Sequence, residues 1–230
     1  MTTALSVNLN KIALLRNSRE GNNPSVMEFG ELSINTGCQG LTVHPRPDLR
    51  HIHPQDLVEL SALVSDHSDS VEFNIEGNPF AESNNNYPGF MALIENNRPH
   101  QATLVPDGEH QLTSDHGFNL ASMQHSLSPI IDQLHQWDVR VSLFMEPDIE
   151  QIELASHIGA DRIELYTGPY AHAYAKEPEN FDRLYEGYHQ AARFAQKLGL
   201  GVNAGHDLNL ENLAKFLQIQ GIKEVSIAKA

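Results

Sequence analysis

This chain of 230 residues is poor in cysteine, in long apolar runs and in positive charge. Its one cysteine, Cys38, excludes an internal disulfide and any metal site built from several thiolates, and reads as a small buried residue beside a strand. No apolar run reaches the roughly 18 residues that a membrane-spanning helix needs. The N-terminal Met-Thr-Thr-Ala-Leu-Ser has neither a charged region nor a long apolar stretch. No secretory signal is therefore expected, and the cytoplasm is the default compartment. Lys and Arg total 15 against 30 Asp and Glu, a net charge of -15, which argues against a nucleic acid or an anionic membrane as partner. Against that background, a local cluster of arginines carries more meaning.

The densest such cluster lies in Leu41-Thr42-Val43-His44-Pro45-Arg46-Pro47-Asp48-Leu49-Arg50-His51. An apolar run reads as a strand and stops at His44. The two prolines that follow can neither continue a ladder nor sit inside a helix. His44, Arg46, Arg50 and His51 are thus delivered together on a stiff turn just past a strand end, where barrels and open α/β sheets place their chemistry. Two guanidinium groups and two imidazoles suit a phosphorylated substrate that exchanges protons. A solvated basic loop is the ordinary alternative for this stretch alone.

Eight strands are predicted, over residues 4–8, 39–44, 71–75, 100–105, 139–144, 162–166, 200–204 and 223–227. Helices are predicted over 24–36, 53–65, 88–97, 118–136, 147–157, 178–198 and 209–219. Asn23 reads as the cap of the first of these, with Pro24 at its first position and Gly37 past its end. His53-Pro54-Gln55-Asp56 opens the next. Leu9 to Arg19 reads as an apolar and basic segment running into a polar loop. Strand-helix alternation repeated eight times argues for a parallel sheet closed into a (β/α)8 TIM barrel, a single domain over 1–230. The chain stops three residues after the eighth strand, so the barrel is expected to lack its final helix.

A barrel of this order brings Asn8, His44, Glu76, Pro106-Asp107, Phe144, Glu164 and Asn203-Ala204-Gly205-His206 to its C-terminal rim. Any one of them could be a loop residue or a cap. Together, two histidines and two carboxylates converging on one mouth point to a catalytic site. Glu76 closes an apolar strand, and partial desolvation there would raise its pKa toward that of a useful base. Gly205-His206-Asp207 joins a tight turn to a histidine, which suits a proton donor beside phosphate-binding amides.

Several of these stretches resemble the pyridoxine 5′-phosphate synthase (PdxJ) family, barrel enzymes of the deoxyxylulose-dependent vitamin B6 pathway. They are Ser6-Val7-Asn8-Leu9-Asn10-Lys11-Ile12 with Leu15-Arg16-Asn17-Ser18-Arg19, Thr42 to Asp48 with Arg50-His51-Ile52, and Phe73-Asn74-Ile75-Glu76-Gly77. Thr103-Leu104-Val105-Pro106-Asp107, Arg162 to Thr167 and Val202 to Asn209 complete the set, in family order along nearly the whole chain. The resemblance implies a transferase that condenses 1-deoxy-D-xylulose 5-phosphate with 3-amino-2-oxopropyl phosphate, giving pyridoxine 5′-phosphate, inorganic phosphate and water without metal or organic cofactor. It implies His44 and Glu76 as proton acceptors and His206 as proton donor. It further implies that Asn8, Arg19 and Asp207 contact the amino-ketone phosphate, and that Arg46, His51 and Thr113 contact the deoxyxylulose phosphate. Asn10, Lys11 and Glu164 complete the substrate-binding set, and a homo-octamer is the expected assembly.

Two departures stand out. Many family members carry Asp-His where this chain has Asn10-Lys11, a change that keeps a polar pair and adds a cation. The family also continues after strand eight with Gly-His and a helix that helps bind one phosphate. Two alternative functions follow. One is a C-terminally truncated, catalytically impaired barrel that binds phosphorylated ligands. The other is a metal-dependent barrel hydrolase using His51 and His53 as ligands.

Overall fold

The computed structural model describes residues 2–67, 69–108 and 111–228. Eight parallel strands close into a barrel in sequence order, with β8 pairing back onto β1. They are β1 (Ala4–Asn8), β2 (Gly40–Val43), β3 (Glu72–Gly77), β4 (Gln101–Leu104), β5 (Arg140–Met145), β6 (Arg162–Tyr166), β7 (Gly201–Gly205) and β8 (Ile222–Ile227). Nine helices lie among the described residues: α1 (Asn10–Asn17), α2 (Val26–Asn35), α3 (Pro54–Ser65), α4 (Phe90–Asn97), α5 (Leu120–Gln136), α6 (Ile149–His157), α7 (Gly168–Lys176), α8 (Pro178–Lys197) and α9 (Leu213–Phe216). The expected (β/α)8 barrel is the observed fold.

The strands alternate, apart from a register shift at Val202/Asn203 where β7 pairs with β8. In β3, Phe73 and Ile75 belong to the apolar core between barrel and helices, whereas Glu72, Asn74 and Glu76 face the lumen. Lumen-facing side chains hydrogen-bond from strand to strand: Ser6 with Thr42 at 2.7 Å, Asn74 to Thr42 at 3.3 Å and Thr103 to Asn74 at 3.0 Å. The outward face carries Leu41, Ile75, Leu104, Leu143 and Leu165, all fully buried against the helices. Each contributes about 1.5–3 kcal/mol of transfer free energy. The barrel is therefore cemented on its outside and polar within, an inversion of the usual Val/Ile/Leu filling.

Four local expectations are corrected. The segment after β1 is a helix, α1, that follows the strand with only Leu9 between them. A further helix, α7, follows β6 directly, and Pro169 in its first turn fits because that position needs no N–H. Asn23 is not the cap of α2: the helix starts at Val26, and the Ser25 side chain accepts from Glu28 N at 3.2 Å. The helix expected over 209–219 shrinks to the single turn of α9. Asn209 there spends its side chain on the amides of Glu211 and Asn212, a local bond set that competes with a continuous helix. Elsewhere the signals hold. Gly37 follows α2 at φ +98°, and His53 N donates to Asp56 Oδ2 at 2.7 Å at the start of α3.

Candidate active site

At the C-terminal mouth of the barrel lies a cavity of about 630 Å³. Its walls come from the ends of β1, β3, β5, β6 and β8, from the segments after β2, β4, β7 and β8, and from α1. His44 is fixed from both sides of the chain. Its backbone N–H donates to Asn10 Oδ1 at 2.8 Å, and Asn10 N in turn donates to Asn8 Oδ1 at 3.0 Å. The first turn of α1 thus holds the segment leaving β2.

The His44 ring lies between two carboxylates, with Nδ1 3.8 Å from Glu76 Oε2 and Nε2 4.0 Å from Asp107 Oδ2. It is buried, and burial followed by the charges of Arg46 and His51 pushes its pKa well below the ordinary value. The imidazole is therefore neutral and free to accept a proton. His51, edge-on to His44 with centroids 6.2 Å apart, is lowered to about 4 by burial and then by Arg46 and Arg50. Its Nδ1 accepts from Ile52 N at 3.0 Å, so its proton resides on Nε2.

The carboxylates move the other way. Glu76, which accepts from Asn8 Nδ2 at 3.4 Å, is raised to about 8 by burial and then by the Asp107 charge. Glu164 is raised well above the carboxylate range by burial and by Glu76, and its Oε2 is buried with no hydrogen-bond partner among the described residues. Glycine at position 205 is a packing requirement here, since a Cβ would sit 2.2 Å from Glu164 Oε1. Past β7, His206 and Asp207 occupy positive φ of +90° and +58°, a conformation costing about 1–3 kcal/mol per residue. That backbone brings His206 Nε2 to 3.0 Å from Thr113 Oγ1, Nδ1 to 3.0 Å from Asp207 Oδ2, and the ring edge-on to Tyr166 at 5.0 Å.

Cations sit beside these groups. Arg46 donates through Nη2 to Asp107 Oδ2 at 2.5 Å and through Nη1 to the Gln111 carbonyl at 3.2 Å. Arg50 donates to Asp48 Oδ2 at 2.7 Å and to the Leu112 carbonyl at 3.2 Å. Lys11 also lines the cavity. A neutral base, carboxyl groups poised to hold protons and guanidinium groups for anions can together move protons on a bound phosphate ester.

Every catalytic or substrate-binding residue expected from the sequence, except Arg19, lines this one cavity. Arg19 is exposed and lines an outer cleft with Arg16, Arg50 and His53, and Arg50 lines the cavity as well. His51 and His53 diverge. His53 lines the outer cleft, with Nε2 3.2 Å from Asn17 Nδ2, and no group of three or more potential metal ligands occurs among the described residues. Sequence reasoning set Asp107 on the rim and gave it no task. The signal was there in Pro106-Asp107-Gly108, a carboxylate at a strand end between two turn residues.

A family model described as "Pyridoxal phosphate biosynthesis protein PdxJ" matches residues 5–230. The chain belongs to the PdxJ family. Membership makes it an enzyme of pyridoxal phosphate biosynthesis. Among curated relatives of this PdxJ chain, the pyridoxine 5′-phosphate synthase of Xanthomonas axonopodis pv. citri (strain 306) is 52% identical over 231 residues, covering 100% of this chain and 89% of the relative. That of Xylella fastidiosa (strain M23) is 51% identical over 229 residues, covering 99% and 86%. Solved structures share the fold at low identity. A 3-dehydroquinate dehydratase from Geobacillus kaustophilus superposes with a TM-score of 0.59 at 11% identity, over 99% of this chain and 83% of the other. A phosphoribosylanthranilate isomerase from Thermotoga maritima does so at 0.58 and 12%, over 99% and 87%.

Proposed function

We propose that this chain condenses 1-deoxy-D-xylulose 5-phosphate with 3-amino-2-oxopropyl phosphate, releasing pyridoxine 5′-phosphate, inorganic phosphate and water. The observation that carries this reading is the juxtaposition of neutral His44 with Glu76, whose pKa is about 8, beside Arg46 at one mouth. Attack of the amine on a ketone gives a Schiff base, and closing the aromatic ring then needs protons taken from carbon and returned to departing oxygens. A base that stays neutral below pH 7 and a carboxyl group that titrates near pH 8 can serve both directions at physiological pH. His44 and Glu76 act as proton acceptors in this scheme, and His206 as donor. Glu164, kept as the acid, offers an O–H to an oxygen that gains negative charge.

Arg46, His51 and Thr113 hold the deoxyxylulose phosphate, with Asn10 and Lys11 beside them. Asn8 and Asp207 meet the amino ketone, and Arg19 reaches its phosphate only if the outer cleft and the cavity are joined when substrate binds. Fixing both phosphates before bond formation converts a bimolecular encounter into an oriented one. The scheme uses no metal or organic cofactor. The chain is further proposed to work in the cytoplasm as a homo-octamer. Exposed Leu15, Leu32 and Val58, one each on α1, α2 and α3, support burial of apolar surface on these helices by another copy.

The deciding test supplies the purified chain with both phosphorylated ketones and follows pyridoxine 5′-phosphate. Stoichiometric release of inorganic phosphate with product is expected. Phosphate-ester binding without any product would instead favour an impaired barrel, and stoichiometric metal with hydrolysis would favour the hydrolase.

A further inference from the structure

Asp107 is a buried charge at the mouth that the proposed chemistry leaves without a task. It lies three residues past β4, and its own carbonyl accepts from Asn78 Nδ2 at 2.8 Å, which fixes the backbone beneath it. One oxygen does nearly all the visible work. Oδ2 accepts from Arg46 Nη2 at 2.5 Å and from Ser114 Oγ at 2.7 Å, with His44 Nε2 at 4.0 Å. Oδ1 is buried with no partner among the described residues.

The two groups on Oδ2 belong to different segments of the cavity wall, after β2 and after β4. Arg46 belongs to the segment after β2 and ties itself to the Gln111 carbonyl at 3.2 Å. Ser114 follows Thr113, whose hydroxyl meets His206 at 3.0 Å. A single carboxylate therefore links the anion-binding arginine to the segment that reaches the proton donor after β7. A charged, bidentate-capable guanidinium held by a buried carboxylate has one aim, and part of its donor fork is already committed.

We propose that Asp107 is a positioning residue for the condensation: it sets the aim of Arg46, holds the Thr113 segment through Ser114, and competes with incoming phosphate for the Arg46 guanidinium. Its effect on turnover rests on the functional reading above. The competition weakens raw anion affinity and favours orientation over tight binding, the direction that raises kcat. Asp107 also acts on Glu76. The groups set around Glu76 are Asn8 on β1, His44 and Arg46 after β2, Asp107 after β4, Glu164 on β6 and Glu224 on β8. After burial, Asp107 is the main influence raising this carboxyl, and Arg46 opposes it.

The test measures inorganic phosphate binding by calorimetry and turnover of both ketones across pH, in wild type, Asp107→Asn, Asp107→Glu, Arg46→Ala and the Asp107→Asn/Arg46→Ala double variant. Asp107→Asn is expected to bind inorganic phosphate about fivefold more tightly, because a competing anion has gone. It is expected to lose roughly 100-fold in kcat/KM through lost orientation. The rising limb of its pH profile moves to lower pH as the Glu76 carboxyl falls. In the Arg46→Ala background the tightening disappears, the non-additivity expected of two groups that act together. Asp107→Glu keeps the charge and recovers weak phosphate binding with part of the turnover, and it carries the comparison if the asparagine variant folds poorly.

A carboxylate that merely braces the loop would lower turnover and leave phosphate affinity and pH profile unmoved. That result, or the same tightening with and without Arg46, overturns the proposal. If wild type shows the phosphate pattern and makes no pyridoxine 5′-phosphate, the functional reading falls and the coupling of Asp107 to Arg46 stands.

Discussion

The two ends of the barrel are built from the same kinds of side chain and treat charge in opposite ways. At the N-terminal floor, Arg140 pairs with both oxygens of Glu72 and donates to Gln101 at 3.0 Å, while Arg162 donates to Asn203 at 3.2 Å and stands 3.7 Å from Glu224. Two guanidinium groups meet two carboxylates. Burial is the largest influence on the Glu72 carboxyl and works to raise it, but the Arg140 bond together with the charges of Arg140, Arg162 and His100 outweighs it and leaves the carboxyl lowered. At the mouth, Arg46 pairs directly with Asp107, while Glu76 and Glu164 have no arginine or lysine bonded to them among the described residues. The floor sets two guanidinium groups against two carboxylates, though burial still raises Glu224 and leaves its Oε1 without a partner among the described residues. The mouth leaves protons and cations unmatched, and that imbalance is what a doubly phosphorylated, proton-exchanging reaction can use.

The sharpest way to separate the two ends is to remove the unbalanced groups. His44→Ala and Glu76→Gln are each expected to lower turnover by about 10²–10⁴-fold while the thermal melt stays cooperative, checked by product assay and circular dichroism. Near-normal product formation in either variant would remove that residue from the proton-transfer scheme. Breaking the floor should do the reverse. Arg162→Ala leaves the buried Glu224 carboxyl without its cation and is expected to destabilise folding by about 3 kcal/mol, read by urea titration, with a much smaller effect on kcat in the fraction that remains folded.

Gly205→Ala comes next, at roughly 10–100-fold in kcat/KM, because the added methyl displaces the Glu164 carboxyl. Wild-type kinetics there would show that the Glu164 position is irrelevant. Arg46→Ala should raise KM for the deoxyxylulose phosphate about tenfold, with a smaller change for the amino ketone. An unchanged KM for the former would assign that phosphate to other cations.

The smallest effect is the pH dependence of stability. Glu76 binds its proton more tightly when folded, with a pKa of about 8 against an ordinary 4.5, so the folded state holds more protons over that window and stability falls as pH rises through it. His51 runs the other way. Its folded pKa of about 4 lies below the ordinary 6.5, so the unfolded state binds the extra proton and stability falls as pH drops through that range. Glu76→Gln is therefore expected to gain stability over wild type at pH 8 and lose that gain near pH 5. Parallel melting curves across pH would contradict the raised Glu76 carboxyl.

Much of this comparison was legible in the chain. The alternation Val71-Glu72-Phe73-Asn74-Ile75-Glu76 already separates a lumen face from a helix-packed face, and the turn residues after Val43, Leu104 and Gly205 mark where strands stop. Helix α1 escaped because no cap separates it from β1: its N-cap residue, Leu9, makes no side-chain bond. Helix α7 escaped because Gly168-Pro169 reads as a turn until the close approach of Gly168 to Tyr166 is seen. The shortening of α9 depended on Asn209 choosing local amides, a choice that residue type permits and cannot dictate.

Local sequence determined the strand and helix periods, the stiff Pro45–Pro47 turn and the residue types gathered at the mouth, since each depends on neighbours a few positions away. Tertiary structure alone decided that Asp107 meets both Arg46 and Ser114, that Thr113 meets His206 across 93 positions of chain, and that Arg19 faces a different cleft. It also decided the pKa values, because desolvation and charge-charge distance exist only once the barrel has closed.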